Sequence, residues 1–167
     1  MIFQNINGNI IDLDKIPEIQ ATIKNKIPPQ DRPKISSSFE AVKIFRHFWP
    51  DDMELRESFM CMYLNRRNRI IGIMLHSTGS TSSCQADVKI IMGTAAKCGA
   101  AGLIIAHNHP SGELETSDAD NKLTARIKKA CELMDMVLLD HMIIIHPEPG
   151  KVESYFSYAD SGTLYSL

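Results

Sequence analysis

No two cysteines in this chain form a C-x-x-C pair; Cys61, Cys84, Cys98 and Cys131 are widely separated. Three of them sit in apolar runs, where a free thiol behaves as a small buried hydrophobe. Reduced core thiols in a cytosolic protein are therefore expected, not a disulfide framework. An excess of positive charge is also missing. The 18 Lys and Arg against 20 Asp and Glu leave a net charge of −2 and a pI near 6.3. This is not the basic footprint of a protein held mainly by phosphates. No apolar run approaches the ~20 residues of a bilayer-spanning helix. The opening MIFQNINGNIIDLDKIP lacks the basic start and continuous apolar core of a signal peptide. The expected compartment is the cytoplasm, with no membrane partner.

What is present suits one domain of 167 residues, a size that buries roughly two-thirds of the surface of its unfolded chain. Residues 1–35, interrupted by Ile27-Pro28-Pro29 and Arg32-Pro33, read as an arm or partial lid, and residues 36–167 as the domain. Ser37 with Glu40 resembles a capping box, opening a helix that carries Phe39, Val42, Phe45 (or Arg46) and Trp49 at helical spacing and stops at Pro50. Glu57–Leu64 and Arg69–Leu75 read as two strands joined by a turn at Asn65–Asn68. A helix with Val88, Ile91, Ala95 and Cys98 on one face ends at Gly99, and Ala101–Ala106 is a buried strand. A loop over His107–Thr116 leads to a helix from about Ser117, with Leu123, Ile127, Ala130, Cys131 and Met134 on one stripe. Val137–Leu139 with Met142–Ile145, then Tyr155–Tyr158, supply the last strands. The order predicts a layered α/β sheet.

The chemistry gathers around His107-Asn108-His109 at the end of the Ala101–Ala106 strand. Side chains two apart on a strand share a face, so two imidazoles can converge on one ion at ~2.0–2.1 Å while Asn108 points the other way. Asp120, in the first turn of the next helix, is placed to be the third ligand. Two His and one carboxylate leave a fourth position open for water, the pattern of a catalytic zinc site. Zinc brings the pKa of such a water down to about 7. A base is also needed, and Glu57 is the candidate, with Glu54 the fallback. Ser117 can donate to a developing oxyanion.

Each residue has a plainer reading. Ser117-x-x-Asp120 is also a capping box, an isolated H-x-H is often fortuitous, and a lone Glu57 would be a solvated strand-edge charge. Their joint order, Glu, His-x-His, Ser-x-x-Asp, carries the argument. His141 reads as a hydrogen-bonded core histidine in preference to a partner of the metal ligands. Arg66, Arg67 and Arg69 read as a solvated turn, Lys128-Lys129 as a solvating face, and Glu113 and Glu115 as surface. His47, His76 and His146 receive no role.

His107-x-His109, seven residues, then Ser117-x-x-Asp120 reproduces the H-x-H-x7-S-x-x-D signature, so this chain resembles the JAMM (JAB/MPN+) metalloproteases. The string AHNHPSGELETSDAD, with LLDHMIII at Leu138–Ile145 and SYFSYADSG at Ser154–Gly162, resembles their RadC branch, over roughly Ser37 to Leu164. The resemblance implies a three-layer α/β/α cytidine-deaminase-like fold with a mixed sheet and a single zinc ion. It also implies His107, His109 and Asp120 as ligands, Glu57 as general acid/base, Ser117 as transition-state stabiliser, and a peptide or isopeptide substrate in a protein partner. RadC proteins are named for DNA repair, which makes a DNA-associated accessory role the alternative; a non-catalytic scaffold fits least, since every ligand position is filled. Longer RadC relatives carry an N-terminal helix-hairpin-helix region that residues 1–35 are too short to supply, which argues against direct DNA binding; a nucleic-acid partner is possible but not supported by the charge. Many also open the helix before the H-x-H strand with a His-Pro-Arg-Glu stretch; this chain has Cys84-Gln85-Ala86-Asp87.

Overall fold

A computed structural model describes residues 2–4, 10–12, 23, 27–81, 84–146 and 154–167 of the chain. Strands β1 (Ile2–Gln4) and β2 (Ile10–Asp12) pair antiparallel as a separate two-stranded sheet within the arm. The sequence pattern did not anticipate them, and most of the remaining arm, with its proposed role as a lid, lies outside the described residues. The domain follows as α1 (Ser38–Phe48), β3 (Ser58–Leu64), β4 (Ile70–Thr78), α2 (Val88–Cys98), β5 (Gly102–Asn108), α3 (Asp118–Leu133), β6 (Val137–Ile144), β7 (Tyr155–Ser157) and α4 (Thr163–Ser166).

The five domain strands form one sheet in the order β4-β3-β5-β6-β7. Only β5 and β6 run parallel; the other pairs are antiparallel, so the sheet is mixed. β3 and β5 are buried at every position, which is why they read as continuous apolar runs. Phe59, Cys61, Tyr63, Leu103 and Ile105 pack with Ile91, Ile127 and Cys131 beneath α2 and α3. Met60, Met62, Leu64, Ile104 and Ala106 pack on the opposite face with Ala41, Val42 and Phe45 of α1. The result is the expected α/β/α sandwich.

Local chemistry closes the helices. Gly99 adopts φ +66° after α2, a conformation that favours glycine at a helix end. Ser37 caps α1 by accepting from the Glu40 N–H, but the Glu40 carboxylate reaches past it to the N–H and hydroxyl of Ser36. Phe39, expected in the core, is instead exposed beneath the Lys43 ammonium, whose Nζ lies 4.3 Å from its ring centre. β4 runs three residues further than expected because Thr78 still pairs with Ser58 at the head of β3. All four cysteines are free. Among the described residues no helix is long and apolar enough to cross a membrane.

One irregularity matters for the site. Leu103 pairs with Leu138 and Ile104 with Asp140, so Leu139 is an extra residue in β6. Such an insertion reverses the alternation of the strand beyond it. Leu138 packs on the α2–α3 side, and so does Ile143. His141 falls opposite Ile105, in phase with Ile143.

Candidate metal centre

β5 delivers His107 at its buried end and His109 just past it, while the first turn of α3 delivers Asp120. Nε2 of His107 lies 3.0 Å from Nε2 of His109 and 3.3 Å from Oδ1 of Asp120. One donor atom from each of the three residues falls within 4.8 Å of the others. Ligand atoms ~2.0–2.1 Å from a tetrahedral zinc sit about 3.3 Å from one another. The spacing therefore fits such an ion.

The donor chemistry fits as well. Nδ1 of His109 lies 2.8 Å from the Glu113 carbonyl, which can only accept, so in the neutral ring that nitrogen holds the proton and Nε2 is a bare lone pair. Asp120 is anchored by one oxygen. Its Oδ2 accepts from the Ser117 N–H at 2.9 Å and the Ser117 hydroxyl at 2.6 Å, while Ser117 Oγ accepts from the Asp120 N–H at 3.1 Å. This capping box leaves Oδ1 facing the imidazoles. Cap and candidate ligand are thus two uses of one carboxylate.

Glu57 immediately precedes β3, with its backbone N–H on the Ser80 carbonyl and its carbonyl accepting from Gly79. Burial raises the pKa of its carboxyl; the charge of His109 pulls it down, that of Asp120 pushes it up, and a hydrogen bond from the Cys84 N–H lowers it. Glu57 therefore stands within electrostatic reach of two of the three donors. The fallback Glu54 does not join them: it is exposed and pairs with His146 at 3.3 Å.

Two further side chains build the site. Asn108, fully buried, faces away from the imidazoles as expected, and all its bonding capacity is used. It accepts from the Ser58 N–H (2.7 Å) and Trp49 Nε1 (3.3 Å), and donates to the carbonyls of Met53 (2.6 Å) and Arg56 (3.0 Å). The segment bearing Glu57 is thereby tied to the strand bearing the histidines. The second is His141, the hydrogen-bonded core histidine expected, but one of its partners is His107 itself. Its Nε2 lies 2.8 Å from Nδ1 of His107, and its Nδ1 lies 2.6 Å from Thr124 Oγ1. It touches His107 directly because the extra residue in β6 turns it to the α2–α3 face. Tyr158 stacks on it at 4.9 Å and 11° and donates its hydroxyl to Asn121. Burial depresses both rings, His107 to about 4 and His141 well below the ordinary range, so both are neutral near pH 7. Thr124 was missed altogether; its position one helical turn after Asp120 was the available signal.

Comparisons with known proteins find relatives over most of the same residues. A family model described as the RadC-like JAB domain matches residues 35–163. The chain is similar to a UPF0758 protein of Porphyromonas gingivalis, 36% identical over 143 residues, covering 85% of this chain and 61% of the relative. A UPF0758 protein of Flavobacterium johnsoniae is 38% identical over 130 residues, covering 77% and 53%. One from Pseudomonas fluorescens is 33% identical over 144 residues, covering 84% and 64%. The chain thus spans between about half and just over three-fifths of the length of these relatives. A mixed five-stranded sheet, an H-x-H strand end and a family match across both lead to one conclusion: the chain belongs to the RadC-like JAB domain family.

Proposed function

We propose that this chain is a zinc-dependent hydrolase of amide bonds, acting on peptide or isopeptide linkages in a protein substrate. The observation that carries the reading is the convergence of His107 Nε2, His109 Nε2 and Asp120 Oδ1 beside the half-buried Glu57. A zinc ion held by these three residues supplies Lewis-acid polarisation and a more acidic water. Glu57 takes the proton released as water adds to the carbonyl carbon and passes it to the nitrogen as the C–N bond breaks. Its raised pKa suits both halves of that transfer. Ser117 acts first on Asp120, and its hydroxyl must rotate off Oδ2 before it can serve an oxyanion. A DNA-associated role rests on the family name alone, and the net charge of −2 does not favour it.

The test combines metal analysis by atomic emission with hydrolysis of peptide and isopeptide libraries. One zinc per chain is expected, strongly reduced in His107→Ala. Glu57→Gln should retain zinc and lose about 10²–10⁴-fold in rate. An unchanged rate in Glu57→Gln would remove Glu57 as the base, and a metal-free wild type would remove the reading.

A further inference from the structure

The hydroxyl of Thr124 lies 2.6 Å from the backbone carbonyl of Asp120 and 2.6 Å from Nδ1 of His141. Two oxygens that close need a proton between them, and a carbonyl has none to give. The single Thr124 proton is therefore committed to Asp120, leaving Oγ1 to accept. His141 must then donate from Nδ1, which leaves its Nε2 bare. Across the 2.8 Å gap the donor can only be Nδ1 of His107. A neutral imidazole carries one N–H, so Nε2 of His107 is left without a proton. The 3.0 Å approach of His107 Nε2 to His109 Nε2 is then no hydrogen bond: two lone pairs face each other.

We infer that Thr124 and His141 are positioning residues that lock His107 into the tautomer whose Nε2 lone pair faces the metal site. The polarity starts at the carbonyl of one ligand, Asp120, and ends on the ring of another, so the helix that brings the carboxylate also presets the imidazole. A hydrogen-bonding partner on the far side of a ligating imidazole commonly governs metal affinity by about 10–100-fold. Here the partner is a second histidine with a fixed direction of its own. The inference rests on the metal-site reading above, but the ring protons can be observed without any metal.

The test uses the full chain labelled with ¹⁵N-histidine and stripped of metal by a chelator. Long-range ¹H–¹⁵N spectra show which ring nitrogen bears the proton. His107 and His141 are both expected as Nδ1–H tautomers. Thr124→Val should shift His107 toward the Nε2–H form and weaken zinc binding, measured against a competing chelator, by about tenfold. Thr124→Ser, which keeps the hydroxyl, should restore both. A proton on His107 Nε2 in the metal-free wild type overturns the inference, as does a folded Thr124→Val with unaltered ring spectrum and zinc affinity. If Thr124→Val does not fold, the wild-type spectrum decides alone. Should wild type bind no zinc, the hydrolase reading fails while the spectra still decide the tautomer.

Discussion

The carboxamide of Asn108 grips the backbone on both sides of Glu57, accepting from the Ser58 N–H and donating to the Arg56 carbonyl. The residue between the two histidines therefore holds the candidate base, and one strand end organises both halves of the site.

Asn108→Ala removes the partner of four polar groups at once. With buried unpaired groups costing about 1–3 kcal/mol each and some recovering water, a loss of about 2–4 kcal/mol is expected in urea unfolding. Zinc content should persist, because no ligand depends on the released segment, while hydrolysis should fall. A variant as stable and active as wild type would dismiss this clamp.

Ser117→Ala deletes the cap of α3 and one of two donors to Asp120 Oδ2. A loss of about 1 kcal/mol in stability is expected from the cap. Zinc affinity should drop several-fold in a chelator competition, since Asp120 swings more freely. At saturating zinc, kcat separates the roles: if it is unchanged, Ser117 only orients Asp120.

Asp140 gives a signature in pH. Burial raises its carboxyl from 3.8 to about 6, against hydrogen bonds from Ser157 and the Ala159 N–H. A carboxyl with a raised folded pKa contributes stability that is full below its unfolded value and lost as pH rises through about 6. His107 and His141 act in the opposite sense, their contribution present above 6.5 and lost on acidification. Guanidinium unfolding of metal-free wild type and Asp140→Asn isolates the carboxyl. Between about pH 7 and pH 4, wild type should gain on the variant by about 2.4 kcal/mol. A constant difference would mean that Asp140 ionises as an ordinary carboxylate.

The thiols should resist alkylation. Burial raises all four, Cys61 to about 12 and Cys131 to about 11, so little thiolate exists at neutral pH. Mass spectrometry after iodoacetamide treatment should find Cys61 and Cys131 unmodified until denaturant is added. Rapid labelling of either in native buffer would contradict their burial.

The convergence of His107, His109 and Asp120 was legible because it depends on short-range geometry. His107 and His109 share a strand end, and Asp120 sits in a helix turn whose start Ser117 marks. Glu57 was legible only through the ordered motif, since β3 and its long-range pairing with β5 bring it near. The contact of His141 with His107 was missed for a physical reason. Strict alternation from Leu138 would turn Asp140, and not His141, toward the α2–α3 side, and nothing in Leu138-Leu139-Asp140-His141 announces an extra residue. Phe39 was misplaced because apolar periodicity does not reveal that Lys43 covers it in solvent.

That extra residue also makes one point of β6 elastic in length. Leu139 leans over Gly102, where an added Cβ would approach its Cδ1 to 2.9 Å, and the strand closes regularly on either side of it. Excising Leu139 would leave Leu138 and His141 two places apart on the same side, the spacing of an unbroken strand. Excising Met142 instead would swap the faces of everything downstream. A circular permutant, a grafted peptide or a shortened scaffold could thus lose a residue at Leu139 and keep its imidazole aimed at His107, whereas a loss at Met142 would turn over the end of the strand.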